Sequence, residues 1–319
     1  MKIVLSLLLF ANVLFANENL KSIYDNIVLN NSNNAVLSAK DLKTSIKATE
    51  LDKTKVLFAK LVVTWKKVEA FYILGDLNRD YLDTPRYIDI FHHGNEDIKK
   101  QLDLILSKKD ELKYALYKNS HKSINALEYI LFKKDLKQAR VKESALVIIA
   151  HIQKKLEEIH EGYVKAEKTF LKDEVTANAM MLHSLIENSY KLKEWRVGDA
   201  AGLSRKFKGK PNNERAEYYI SQNSLLAIEA IITTHQMILD TQEYKNFGTM
   251  IESYGAKEEL ASARKYLSQA LAQSKTIKND NFLEAKPLFK SLKKLHATYY
   301  ITLISKLKIT AKILDADGD

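Results

Sequence analysis

Nine glycines and three prolines in 319 residues leave this chain few means of turning. The prolines stand at Pro85, Pro211 and Pro287, so long stretches contain neither residue type. A β-sandwich or barrel needs turn residues about every 8–12 positions. Long helices do not, and an all-α fold is the expectation. Apolar residues recur at helical spacing over 18–30, 36–49, 52–74, 95–116, 119–134, 137–171, 173–195, 212–242, 256–276 and 282–315. Asp52 and Asp173 are the expected N-terminal caps and Gly75 a helix stop.

The first 16 residues read as a secretory leader. Lys2 supplies a positive start, residues 3–10 are nearly all apolar, and Ala16 offers a small residue for cleavage. The apolar core is too short for the roughly 20 residues that span a bilayer. The expected mature chain is exported, periplasmic and soluble. It has no cysteine, so a lipid anchor, a disulfide framework and thiolate metal ligands are all excluded. The net charge of +10 becomes +9 once Lys2 is removed. Lysines are spread along most helices, which describes a solvated surface. Acidic surfaces such as phospholipid headgroups suit this charge, and an exported chain meets no nucleic acid.

Two long stretches break the helical pattern. Residues 75–96 contain Pro85, Gly94 and many charges, and residues 195–213 contain Gly198, Gly202, Gly209 and Pro211. Loops this long in a helical chain are often functional. Each precedes a similar helix. SINALEYIL at 123–131 aligns without a gap on SLLAIEAII at 224–232, pairing Glu128 with Glu229 and Asn125 with Leu226. The expected organisation is a leader at 1–16, an N-terminal bundle at 17–171 and a related C-terminal bundle at 172–319.

The segment HKSINALEYILF at 121–132 carries the chemistry. Asn125 and Glu128 lie three residues apart, on one face of a mostly apolar helix. The segment resembles the imelysin family of exported helical proteins, whose signature is G-x-H-x-x-E before an aliphatic and aromatic run. Ser123 stands at the family's Gly, Asn125 at its His, and Glu128 keeps the Glu. WKKVEAF at 65–71, PRYIDIF at 85–91 and YYISQNSL at 218–225 resemble three further family stretches in the same order. The resemblance implies two related bundles with a site near their junction, and a role in iron uptake at the envelope with uptake components as partners. It also brings the name of a peptidase.

A His and a Glu at i, i+3 can both reach one cation. Asn125 replaces the imidazole with an amide oxygen, and Asn plus Glu suits a hard divalent ion better than Zn²⁺. His121 lies two turns from Glu128, roughly 10 Å along the axis, and does not share its ion. His92, with His93, Asp89 and Glu96 in the first loop, could restore the lost imidazole. The expected metal set is therefore Glu128, Asn125 and His92, around a divalent ion. Alternatively, Asn125 and Glu128 form a structural pair. A buried Glu128 needs donors. Asn125, Arg86 beside Tyr87 and Arg196 beside Trp195 are the expected ones, which makes Asn125, Glu128, Arg86 and Arg196 the candidate ligand-binding residues. Arg79 also lies in the first loop. His151, His160, His183, His235 and His296 are isolated. Neither an H-E-x-x-H helix nor a G-x-S-x-G elbow is present, and Ser221 and Ser224 have no His at useful spacing. The expected function is a non-catalytic metal- or ligand-binding component of envelope iron uptake. The alternatives are a metallopeptidase and a purely structural or interaction bundle.

Overall fold

The computed structural model describes residues 18–94 and 96–310, so the leader expected at 1–16 lies outside the described residues. Among them there are helices and no strands. The first helical stretch runs unbroken through a π-helical segment, Tyr24–Leu29, into α1, Asn30–Ala48. The expected break at 30–36 is absent, because Ala35, Val36 and Ala39 continue the buried face. Thr49, at φ 58°, ends α1 in the left-handed conformation. There its N–H and that of Glu50 reach back to Ile46 and Ser45 carbonyls.

α2, Leu51–Glu69, returns along α1. Its N-cap is Glu50 rather than Asp52, since the Thr54 N–H already bonds the Glu50 carbonyl at 2.8 Å. Thr54, Phe58, Leu61, Val62 and Trp65 form its buried stripe. Lys66 continues that stripe one turn beyond Val62 and is fully buried. Helix α2 stops at Ala70, not at Gly75. Gly75 sits instead in the short helix Leu74–Leu77, where an added Cβ would lie 3.1 Å from the Leu82 Cα. Its role is close approach rather than helix termination.

The remaining long helices are α3 at Ile98–Ser107, α4 at Ile124–Lys133, α5 at Ala139–Phe170 and α6 at Glu174–Lys191, followed by α7 at Ser224–Leu239, α8 at Lys257–Ser274 and α9 at Lys286–Ala297. The stretch expected as one helix at 95–116 breaks after Ser107, and Leu112–Ala115 forms a separate turn. Asp173 does cap α6, its carboxylate accepting from the Thr176 N–H at 2.9 Å. α6 and α9 each pass into a π-helical segment, Leu192–Gly198 and Thr298–Leu303. α7 begins twelve residues later than the periodicity suggests. Tyr218 and Gln222 take left-handed angles, φ 58° and 55°, and hold 216–223 off the helix. The freed N–H groups of Ser224 and Leu225 both bond the Asp280 carboxylate, at 2.7 and 3.1 Å.

α7 packs across α2, which brings the second half of the chain against the first. One continuous apolar core includes Trp65 and Ile130 from the first half and Ile231 and Leu267 from the second. No described helix is long and apolar enough to cross a membrane.

Candidate functional site

Where the halves meet, the apolar core gives way to charge. Lys66 and Glu69 come from the last turn of α2, and Asp89 from the first long loop. Arg196 comes from the π-helical end of α6, and Glu217 from the segment before α7. Four of these five residues are at most 5% exposed, and Glu69 is the partly open one. Lys66 Nζ donates to Glu69 Oε2 at 2.6 Å, Asp89 Oδ2 at 2.8 Å and Glu217 Oε1 at 2.6 Å. Arg196 donates through Nε to Glu217 Oε2 at 2.8 Å, and through Nη2 to both Glu69 oxygens at 2.9 Å. Asp89 also accepts from Trp65 Nε1 at 3.0 Å, the Tyr218 hydroxyl at 2.8 Å and its own turn's Phe91 N–H at 3.0 Å.

Three carboxylates face two cations, so the cluster carries a net charge of −1 when all are ionised. That surplus falls on Glu217. Burial raises its pKa, against the pull of Arg196 and Lys66, to about 7. Burial also opposes ionisation of Asp89, but the Lys66 ammonium and the bonds from Lys66, Phe91 and Tyr218 outweigh it. They hold Asp89 below the usual carboxylate range. For Glu69, the Arg196 and Lys66 charges likewise overcome burial and lower the pKa.

Above the cluster the first long loop is joined to the end of α6, which runs on through Ala201 where the sequence suggests that a loop starts at 195. His92, at φ 61°, lies in the left-handed region that residues other than glycine adopt uncommonly. It is held there from two sides. Its ring stacks on Trp195 with centroids 4.6 Å apart and planes 5° from parallel, and its Nε2 lies 2.9 Å from Asp199 Oδ2. Trp195 and Arg196 share one π-helical turn, a deformation frequent at functional sites. The second loop closes on itself at Gly202, at φ 67°, where a Cβ would meet the Pro211 nitrogen at 2.6 Å. Between the loops opens a cleft of ≈ 2050 Å³. Its lining includes Glu69, Arg86, Asp89, His93, Lys191 and Arg196. Burial, then the charges of Arg86 and Lys191, lower the His93 pKa.

The residues expected from the sequence lie around this cluster, but each has its own partner. Asn125 Oδ1 accepts from the Ile90 N–H at 3.0 Å and so ties α4 to the first loop. Glu128 is buried, as its place on the helix face requires, and its Oε1 accepts from the Ser221 N–H at 2.9 Å and hydroxyl at 2.6 Å. Burial raises its pKa, partly countered by the Ser221 bonds. The donors expected for Glu128 are not the ones it has. Arg86 is exposed and lies 3.3 Å from Asp83, while Arg196 serves Glu69 and Glu217. The reason is the turn at 216–223, which sequence periodicity assigns to a helix. It brings Glu217, Tyr218 and Ser221 onto three different partners. His121 bonds Gln101 at 2.7 Å, and His235, fully buried, bonds Asn188 at 3.0 Å. Among the described residues, Ser32 with His160 and Ser189 with His296 make close Ser–His contacts, and both serines are fully or almost fully buried.

Lys66 and Glu217 were not candidates on sequence grounds. A signal for Lys66 was present: it lies four residues after Val62 and eight after Phe58, on the apolar stripe of α2. A lysine there is buried and needs acids around it. Glu217 had no such signal, because its neighbours read as helix.

The oxygens of Glu69, Asp89 and Glu217 lie within 4.8 Å of one another, close enough to share an ion. Among the described residues this is the one group of three such side chains. The donor set does not fit a metal, however. Each carboxylate already accepts from Lys66, and Glu69 and Glu217 also from Arg196. Asn125, Glu128 and His92 are engaged by Ile90, Ser221 and Asp199.

The imelysin family profile matches residues 22–295. The fold is similar to that of an imelysin-like protein from Psychrobacter arcticum, with a TM-score of 0.78 and 14% identity, covering 94% of this chain and 98% of the other. It is also similar to a protein from Parabacteroides distasonis assigned as an iron-regulated protein A precursor, with a TM-score of 0.72 and 14% identity, covering 92% and 95%. No curated protein matches the chain significantly in sequence.

Proposed function

The chain belongs to the imelysin family, and from that premise we propose that it is a non-catalytic binding component of iron uptake at the cell envelope. Its ligand is a molecule held in the cleft between the two long loops, rather than a bare ion. The observation that carries this reading is the clamp of His92 between Trp195 and Asp199 at the cleft wall. A left-handed backbone fixed by a stack and a close carboxylate contact, at the wall of a large cleft, reads as a preformed site. The iron link rests on the Parabacteroides neighbour, which is assigned as iron-regulated. Export rests on the leader at 1–16, and a neighbour assigned as a precursor accords with it.

The arrangement speaks against covalent chemistry. The serines beside histidines are buried in helix packing and donate to their own helix carbonyls. A metallopeptidase needs a metal with an open position and a free base. Of the carboxylates lining the cleft, Glu69 and Asp89 are bound by Lys66, Glu187 by Lys191, Glu194 by Lys193 and Asp83 by Arg86.

Native mass spectrometry of the protein recovered from the envelope of iron-starved cells tests the reading. The expected result is a small-molecule adduct on the mature chain that is lost in Trp195→Ala. A bare mass for wild type from both iron-starved and iron-replete cells overturns it.

A further inference from the structure

The carboxylate triad has the spacing of a cation site, and its cation is part of the chain. We propose that the Lys66 ammonium is the resident ion of this site. It holds the junction together in place of a metal, and excludes divalent cations while it is there.

Three observations support this. An ammonium has three N–H donors, and those of Lys66 go one each to Glu69, Asp89 and Glu217, at 2.6–2.8 Å. No donor is left over, and Nζ occupies the place that an ion between the three carboxylates would take. The lysine is 0% exposed, so a hydrated ion cannot approach without first breaking these bonds. The charges agree. The triad contributes −3 and Lys66 with Arg196 +2, leaving −1. Adding a divalent ion to the intact cluster would leave +1 in a buried place. Exchanging Lys66 for a neutral residue and then adding the ion gives −3 + 1 + 2, which is zero. Removal of Lys66 should therefore create a metal site, of oxygen donors alone, suited to a hard divalent ion such as Mn²⁺.

The test uses Mn²⁺ as probe on the mature wild-type chain, Asp89→Asn, Lys66→Ala, Lys66→Met and Lys66→Ala/Asp89→Asn. Isothermal titration and electron paramagnetic resonance read binding, and Tm reads its effect on the fold. Wild type is expected to bind no Mn²⁺ and to keep its Tm in millimolar Mn²⁺ or EDTA. Lys66→Ala is expected to bind one Mn²⁺ with a rise in Tm, and the double variant to lose both. If neither Lys66 variant folds in buffer, refolding in millimolar Mn²⁺, followed by circular dichroism, is expected to restore the helical signal for Lys66→Ala but not for the double variant. Overturning results are Mn²⁺ binding by wild type that Asp89→Asn abolishes, a folded Lys66→Ala with no gain in affinity, or an unfolded one that Mn²⁺ does not rescue. None of these outcomes depends on what the cleft binds.

Discussion

Removing Arg196 should destabilise the protein, and removing a second cluster residue should restore part of the loss. In Arg196→Ala the buried cluster goes from −1 to −2, Glu217 Oε2 and Glu69 Oε1 lose their donor, and Glu69 Oε2 keeps only Lys66. Breaking a buried pair in this way typically costs about 3–5 kcal/mol. At about 2.1 cal/mol/K of unfolding entropy per residue, a chain of this length shifts by about 1.5 °C per kcal/mol, and the expected fall in Tm is roughly 5–8 °C. Adding Glu217→Gln returns the cluster to −1 while keeping an acceptor for Lys66. The double variant should therefore be more stable than the single by about 1–2 kcal/mol, through the coupling expected of neighbours in one network. The deficit should also depend on pH. A buried carboxyl whose folded pKa is raised, as for Glu217, loses stability as pH rises through that folded value. With Arg196 gone the surplus is larger, so the deficit should be smaller at pH 5 than at pH 8. Urea denaturation of the single and double variants at both pH values measures all of this. A double variant less stable than Arg196→Ala would refute the charge count, as would a deficit independent of pH.

Glu128→Ala should destabilise by about 1–3 kcal/mol, the range for an orphaned buried donor, because Glu128 serves the neutral Ser221 and not an arginine; a loss above that in urea titration would point to a charged partner. His235, buried and bonded to Asn188, has its pKa pushed down by burial to about 3, so its unfolded state takes up the proton first. Its contribution is complete above pH 6.5 and falls as pH drops towards 3, by about 2 kcal/mol at pH 5, and His235→Gln should flatten that part of the stability profile. Trp195→Ala removes the stack that holds His92 in its left-handed conformation, so amide exchange at residues 90–94 should speed up by mass spectrometry while that of α5 stays unchanged. Intact mass of the exported chain should show loss of about 16 residues; retention of Met1 would remove the leader.

The all-α fold was legible in the sequence because helices declare themselves locally. Scarce Gly and Pro and a 3.6-residue apolar period act within a few turns, as with the buried stripe of α5 and the Asp173 cap of α6. The burial of Glu128 was legible for the same reason, since its helix face is apolar on both sides. Its partner was not. Ser221 lies 93 residues away and reaches Glu128 through a turn that periodicity reads as helix. Glu217 and Asp89 join Lys66 across separations of 151 and 23 residues. Periodicity says which face of a helix is buried, but not which charges from other segments will meet it. That pairing is set by how α2, α7 and the two long loops pack, and only there do three carboxylates close around one lysine.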